Sequence, residues 1–168
     1  MPADAVTAMA DLRDLDPLSK QLNNATEELN LALQTIENKL NALGIGLEVW
    51  VVDDLVEVTN WSDLLDENQE PTGSRWRYVT QLGYGRHGDG WALLTRRVEQ
   101  REGSDARGFS SVDEYDEHSS VKPLLRASRD HRSRAVDLVP ELINQVEAAA
   151  KRMIARVAQA KKIADSLK

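Results

Sequence analysis

Residues Arg75–Arg101 read RWRYVTQLGYGRHGDGWALLTRRVEQR, and how this stretch pairs with itself decides the fold. Two runs with β-branched and aromatic residues flank Gly88-Asp89-Gly90, so the segment reads as a hairpin. Glycine supplies the positive φ that a two-residue turn needs. Whether Gly88-Asp89 or Asp89-Gly90 makes the turn, even-numbered residues of the first strand share a face with odd-numbered residues of the second. One face then carries Trp76, Tyr78, Thr80, Leu82 and Tyr84 with Trp91, Leu93, Thr95, Arg97 and Glu99. The other carries Arg77, Val79, Gln81, Gly83 and Gly85 with Ala92, Leu94, Arg96, Val98 and Gln100. The first face holds the larger apolar groups near the turn and is expected to meet the helices. Gly83 and Gly85 thin the second, leaving space for a crossing side chain or for curvature.

The same stretch spells G-x-G-x-x-G from Gly83 to Gly88. A dinucleotide loop needs that pattern between a strand and a capped helix, whose N-terminal amides hold the pyrophosphate. Here a turn and a second antiparallel strand follow instead. No lysine on the next strand and no catalytic-loop motif supports a kinase-type glycine loop either. The glycines are read as structural, and no cofactor is expected.

Outward from the hairpin, GIGLEVWVV (Gly44–Val52) alternates with period two and reads as a third strand. Before it, Leu15, Leu18, Leu22, Ala25, Leu29, Leu33, Ile36, Leu40 and Leu43 recur at steps of three and four. Asp16 and Pro17 look like its N-terminal cap and first turn, and Gly44 like its close. A helix over 14–43 is therefore predicted. After the hairpin, Val136, Val139, Ile143, Val146, Ala150, Met153, Val157, Ala160, Ala164 and Leu167 keep a coiled-coil-like heptad. Leu142, Ala149, Ile154 and Ile163 widen its apolar face beyond that of a two-stranded zipper. This helical region, 121–168, is expected to kink, or to start a new helix, near Pro140. The acidic 53–74 reads as a long loop and the polar 102–120 as a mobile one. The predicted architecture is one α+β domain in the order α-β-β-β-α. A three-stranded antiparallel meander over 45–101 is flanked by two long helices.

Length and composition suit this picture. The 168 residues allow one domain with a real core, and 41% apolar with 29% charged residues suits a folded soluble chain. No run resembles a membrane span or a secretion signal, and cysteine is absent. A cytoplasmic location without membrane contact is the expectation. Charge is unevenly divided: residues 1–75 carry 15 acidic and 4 basic side chains, and residues 76–168 carry 13 and 17.

Arginine supplies the candidate binding residues. Arg77 and Arg96 stand in the aromatic hairpin, and Arg126, Arg129, Arg132 and Arg134 cluster in LLRASRDHRSR. Guanidinium forks suit phosphates and carboxylates, although pairing within the chain competes for them. His87, His118 and His131 lack a nucleophile or a second histidine at ligand spacing. The run Asp113, Glu114, Asp116, Glu117, His118 does not have EF-hand spacing. Neither catalysis nor a metal is therefore expected, Asp53-Asp54 remaining as an acidic pair after the first strand. The surplus apolar face of the last helix points to a partner: a second copy, or a helix of another protein. The alternative is nucleic-acid binding through the arginines.

Overall fold

The structure, a computed structural model, describes residues 3–104 and 110–167. Among these residues it contains two long helices and six strands in one antiparallel sheet. Helix α1 spans Ala3–Ala42 and α2 spans Arg129–Ser166. The strands are β1 (Val49–Trp50), β2 (Glu57–Val58), β3 (Ser62–Leu65), β4 (Pro71–His87), β5 (Gly90–Ser104) and β6 (Ser110–Pro123). A 3-10 turn, Leu124–Arg126, joins β6 to α2. The class is α+β, but the three-stranded sheet and the order α-β-β-β-α are overturned.

The hairpin forms with His87 opposite Gly90, so Gly88-Asp89 makes the turn. Gly88 takes φ +59° and Asp89 is not left-handed, the sign pattern of a type II′ turn. The register puts Tyr84 opposite Leu93 and Gly83 opposite Leu94, and this separates the two faces as the alternation predicts.

The predicted loop 53–74 contains β2 and β3, and the predicted polar loop 102–120 contains the end of β5 and most of β6. Both misreadings share a cause. β1, β2 and β3 lie end to end along the same edge of β4, opposite Gly83–Tyr84, Val79–Thr80 and Pro71–Trp76 respectively. Backbone amides keep the line between them: Val51 donates to Leu82 and Val56 to Thr80. Four residues, Val52 to Leu55, bulge out where the ladder advances by only two, and they carry Asp53 and Asp54 to solvent. A tight turn at Asp66, whose carboxylate accepts the amides of Asn68 and Glu70, returns the chain into β4. β6 closes the other edge against β5. Edge strands with solvent on one side need no apolar alternation.

Both helices also depart from their predicted limits. α1 begins at Ala3, and Asp16-Pro17 lies inside it rather than capping it. The preceding ADAVTAMADLRD is rich in helix formers, and a proline removes a single backbone bond. α2 begins at the Ser128 cap, whose hydroxyl accepts the His131 amide, and runs through Pro140, so no helix starts there. Val139 and Leu142, buried on either side of Pro140, hold that turn to the sheet.

The core lies between the helices and the inner face of the sheet. Leu33 and Leu40 of α1 meet Ala135, Val139, Leu142 and Val146 of α2 over Val49, Val51, Val56, Leu82, Tyr84 and Leu93. Leu124 and Ala127 plug one end. Asn41 ties α1 to the hairpin, its Nδ2 donating to the Trp91 carbonyl (3.0 Å) and its Oδ1 accepting from the Tyr84 hydroxyl (2.7 Å). The buried Tyr84 hydroxyl titrates above its ordinary 10.0, through burial first and then the negative charge of Glu37.

Candidate interaction surfaces

Three surfaces stand outside this core. The first is formed by the helix ends. Arg129 at the start of α2 donates to Asn23 of α1 (2.9 Å), while Ala150, Met153 and Ile154 lie beside Ile45 and Leu47, just past the end of α1. The helices therefore run parallel, displaced along their axes. α1 overhangs at one end and α2 at the other. Residues 15–25 of α1 and 151–167 of α2 are exposed throughout. The α2 overhang keeps the apolar repeat, with Met153, Ile154, Val157 and Ile163 all open to solvent. Further back, Val136 and Ile143 of the predicted heptad are also exposed, because the sheet takes the neighbouring stripe through Ala135 and Leu142. The overhang of α1 shows Leu15, Leu18 and Leu22. Charge differs as well: residues 151–167 carry five basic and one acidic side chain, residues 3–28 two basic and six acidic.

The second surface is the outer face of the sheet, where Arg77 and Arg96 sit. Its buried Val79, Leu94 and Val98 lie outside the core packed against the helices, under side chains of the sheet itself. Gly83 has no Cβ because Trp50 lies flat over it: a Cβ there would fall 2.3 Å from the indole ring. The crossing side chain that the paired glycines foretold is this tryptophan. Arg96 stacks on Trp50 (4.5 Å to the ring centre) and donates to Gln81 (2.7 Å). Gln81 and Gln100 both donate to Glu114 of β6, and Arg77 donates to Gln100 while stacking on Trp61 (4.4 Å). Polar groups thus chain across three strands over the buried Val79, Leu94 and Val98. Cation–π stacking fixes the guanidinium planes at both ends.

The other arginines do not form one patch. Arg126 stands exposed at the end of the 3-10 turn, and Arg134 pairs with Asp130 one helical turn back (3.0 Å). Arg129 is bound to Asn23, and Arg132 turns back to the carbonyls of Leu125 and Ala127. Arg132 and Arg129 brace the entry to α2. No described carboxylate of the acidic N-terminal half pairs with any of the four.

The third surface is a polar cavity of about 390 Å³ beneath the first turn of α2. Its floor is one row across four strands, Glu57–Thr80–Arg97–Ser120, followed by Thr95 opposite Lys122. His131 of α2 forms the roof, its Nε2 3.0 Å from the Glu57 carboxylate. Arg97, Lys122 and Thr95 are absent from the sequence-derived candidates. They converge only once β6 is paired with β5, and from sequence Ser119 and Ser120 read as the end of the loop and Val121 to Pro123 as the start of the helical region, which β6 overturns.

The remaining residues are scattered. His87 is exposed at the hairpin and Asp53 and Asp54 on the bulge. The side chains of Asp116, Glu117 and His118 lie outside the described residues. Among the described residues, no three of His, Cys, Asp or Glu are placed to hold a metal. No described helix is long and apolar enough to cross a membrane. No protein-family model, curated protein or solved structure matches the chain.

Proposed function

We propose that this chain is a non-enzymatic assembly protein of the cytoplasm, whose copies join through their long helices. The observation that carries the reading is α2 beyond Ala150: the residues 151–167 are exposed, yet they continue the apolar stripe that the sheet buries further back. Apolar surface of this kind is favourable to cover.

The occupant we propose is the α1 overhang of a second copy. Parallel helices displaced in opposite directions leave complementary steps. A copy translated along the helix axis sets the start of its α1 beside the end of α2 in the first. Residues 151–166 span about 24 Å and residues 3–25 about 34 Å at 1.5 Å per residue, so one overhang is long enough to cover the other. Their charges are opposite in sign, a net of +4 over 151–167 against −2 over 3–25. Such a contact is head-to-tail and builds open chains of copies rather than closed pairs.

Light scattering at micromolar concentration tests this. The expected masses are multiples of 18.8 kDa that grow with concentration and shrink with added salt. The double change Met153→Asp and Val157→Asp is expected to give single chains with unaltered circular dichroism. A wild-type mass of one chain at every concentration, even at low salt, refutes the proposal.

A second reading, nucleic-acid binding, draws support from the outer face. Trp50 of β1 and Trp61, just before β3, place rings beside Arg96 and Arg77, the mixture of stacking and charge that single strands favour. It predicts salt-sensitive retention of an RNA probe that weakens in Arg77→Ala and Arg96→Ala. No retention of single- or double-stranded probes at low salt removes it.

A further inference from the structure

The cavity under α2 is unlike the rest of the inner face. From Leu82 and Leu93 toward the hairpin turn the face is apolar and packed. Along the strands away from that turn, Thr95 and then Thr80 and Arg97 follow, and packing stops at the first turn of α2. Thr95 is 1% exposed, and its Oγ1 has no hydrogen-bond partner within the protein. A buried hydroxyl left unsatisfied costs on the order of 1–3 kcal/mol, and a valine would fill the same space without that loss. Arg97, two residues further along β5, and Lys122, opposite Thr95 on β6, line the same cavity, and among the described residues neither is paired with a carboxylate. Tyr78 instead holds the Arg97 guanidinium by stacking, 3.9 Å from the ring centre. The carboxylate of the lining, Glu57, is engaged by His131. Hydroxyl donors stand around the two cations: Thr80, Thr95 and Ser120, from three adjacent strands.

We propose that this cavity binds a small phosphate-bearing molecule. Two separate cations with several converging hydroxyls match a group of charge near −2 with three terminal oxygens better than a planar monoanionic carboxylate. The first turn of α2, with its positive dipole end, lies over the same space. The cavity falls within the range of about 300–1,000 Å³ usual for small-ligand sites, which leaves room for an organic portion beyond the phosphate. The proposal is independent of assembly through the helix ends, since none of its residues lies on an overhang.

Titration calorimetry with inorganic phosphate, then with a sugar phosphate and a nucleoside monophosphate, tests it, with acetate as the carboxylate control. We expect saturable one-to-one binding of phosphate, tighter binding of at least one organic phosphate, and weak or no binding of acetate. Arg97→Gln and Lys122→Gln should each lower phosphate affinity by about tenfold or more, the usual scale for a lost charge-assisted bond. Thr95→Val should lower it severalfold while leaving the ligand-free protein as stable or more so, an outcome that a purely structural threonine does not give. Arg134→Ala, exposed and outside the cavity, should change nothing. Because Arg97 and Lys122 are exposed side chains, both variants are expected to fold, and circular dichroism with thermal melting in phosphate-free buffer verifies it. Absence of saturable phosphate binding by the wild-type protein overturns the proposal. So does binding that survives Arg97→Gln and Lys122→Gln together, or acetate binding as tight as phosphate.

Discussion

α2 carries one apolar repeat along its length, and its two halves have different surroundings. From Ala135 through Val139, Leu142 and Val146, steps of three and four put every residue into the core. From Met153 through Val157 the same spacing continues, yet these side chains are 44% and 61% exposed. Helix geometry is common to both halves. The difference lies across from the helix: β1, β4 and the end of α1 face the first half, and past Ile45 and Leu47 the side chains of 151–167 are all exposed. Periodicity therefore encodes a face that can be buried, while the partner is set by the extent of the rest of the fold. Substitutions in the two halves should separate stability from assembly.

The largest effect is expected in the docked half. Leu142→Ala removes a fully buried side chain between sheet and helix, and about 2–5 kcal/mol of unfolding free energy should be lost in urea titration. A loss below about 1 kcal/mol would mean that the docked half is no better anchored than the overhang, and the contrast would collapse.

The platform under the docked half can be disturbed without touching a helix. Gly83→Ala puts a Cβ into the Trp50 ring on the outer face, 2.3 Å from its nearest carbon. Overpacking of this kind costs about 1–3 kcal/mol. Trp50→Ala should relieve it, so the double variant should be less destabilised than the two single losses added together. Strict additivity would show that Trp50 already moves freely and does not brace β4.

A smaller effect concerns the join between α1 and the hairpin. The Tyr84 hydroxyl donates to Asn41, and its folded pKa is raised above the ordinary 10.0. The folded protein thus holds this proton more tightly than the unfolded chain. Its contribution to stability is complete below 10.0 and falls as pH rises toward and through the folded value. Urea midpoints on both sides of 10.0 should show that fall. Tyr84→Phe should flatten it, at a loss of about 0.5–1.5 kcal/mol near neutrality from the missing hydrogen bond. An alkaline decline unchanged in Tyr84→Phe would assign it to other groups.

These contrasts also show what the residues alone reveal. The hairpin was legible because either candidate turn gives the same two faces, although only the structure chooses the register; the paired glycines left room for a crossing side chain or for curvature, and Trp50 is that side chain. The apolar stripes of both helices were legible too, being local and periodic. β2, β3 and β6 were not, because an edge strand is specified mainly by the backbone of its neighbour. Glu57 and Val58 are strand because β4 lies beside them. The arginine candidates were chosen by proximity in sequence, whereas the structure distributes Arg126, Arg129, Arg132 and Arg134 around a helix start. Arg97 and Lys122, twenty-five residues apart, share a cavity through pairings that no local pattern announces.

The smallest effect is expected in the overhang and sharpens the comparison most. Val157→Ala removes two methyl groups from an exposed position, so urea unfolding of dilute, single chains should change by no more than about 0.5 kcal/mol. Alanine is also the better helix former, which offsets part of any loss. At higher concentration the same substitution should lower the average mass seen by light scattering, since the proposed contact with a neighbouring copy covers Val157. A residue that leaves the fold of one chain unchanged and yet governs how many chains join has its role outside that chain. If Val157→Ala instead destabilises the dilute protein as Leu142→Ala does, the α2 overhang folds back on its own sheet, and the two halves of the helix share one partner after all.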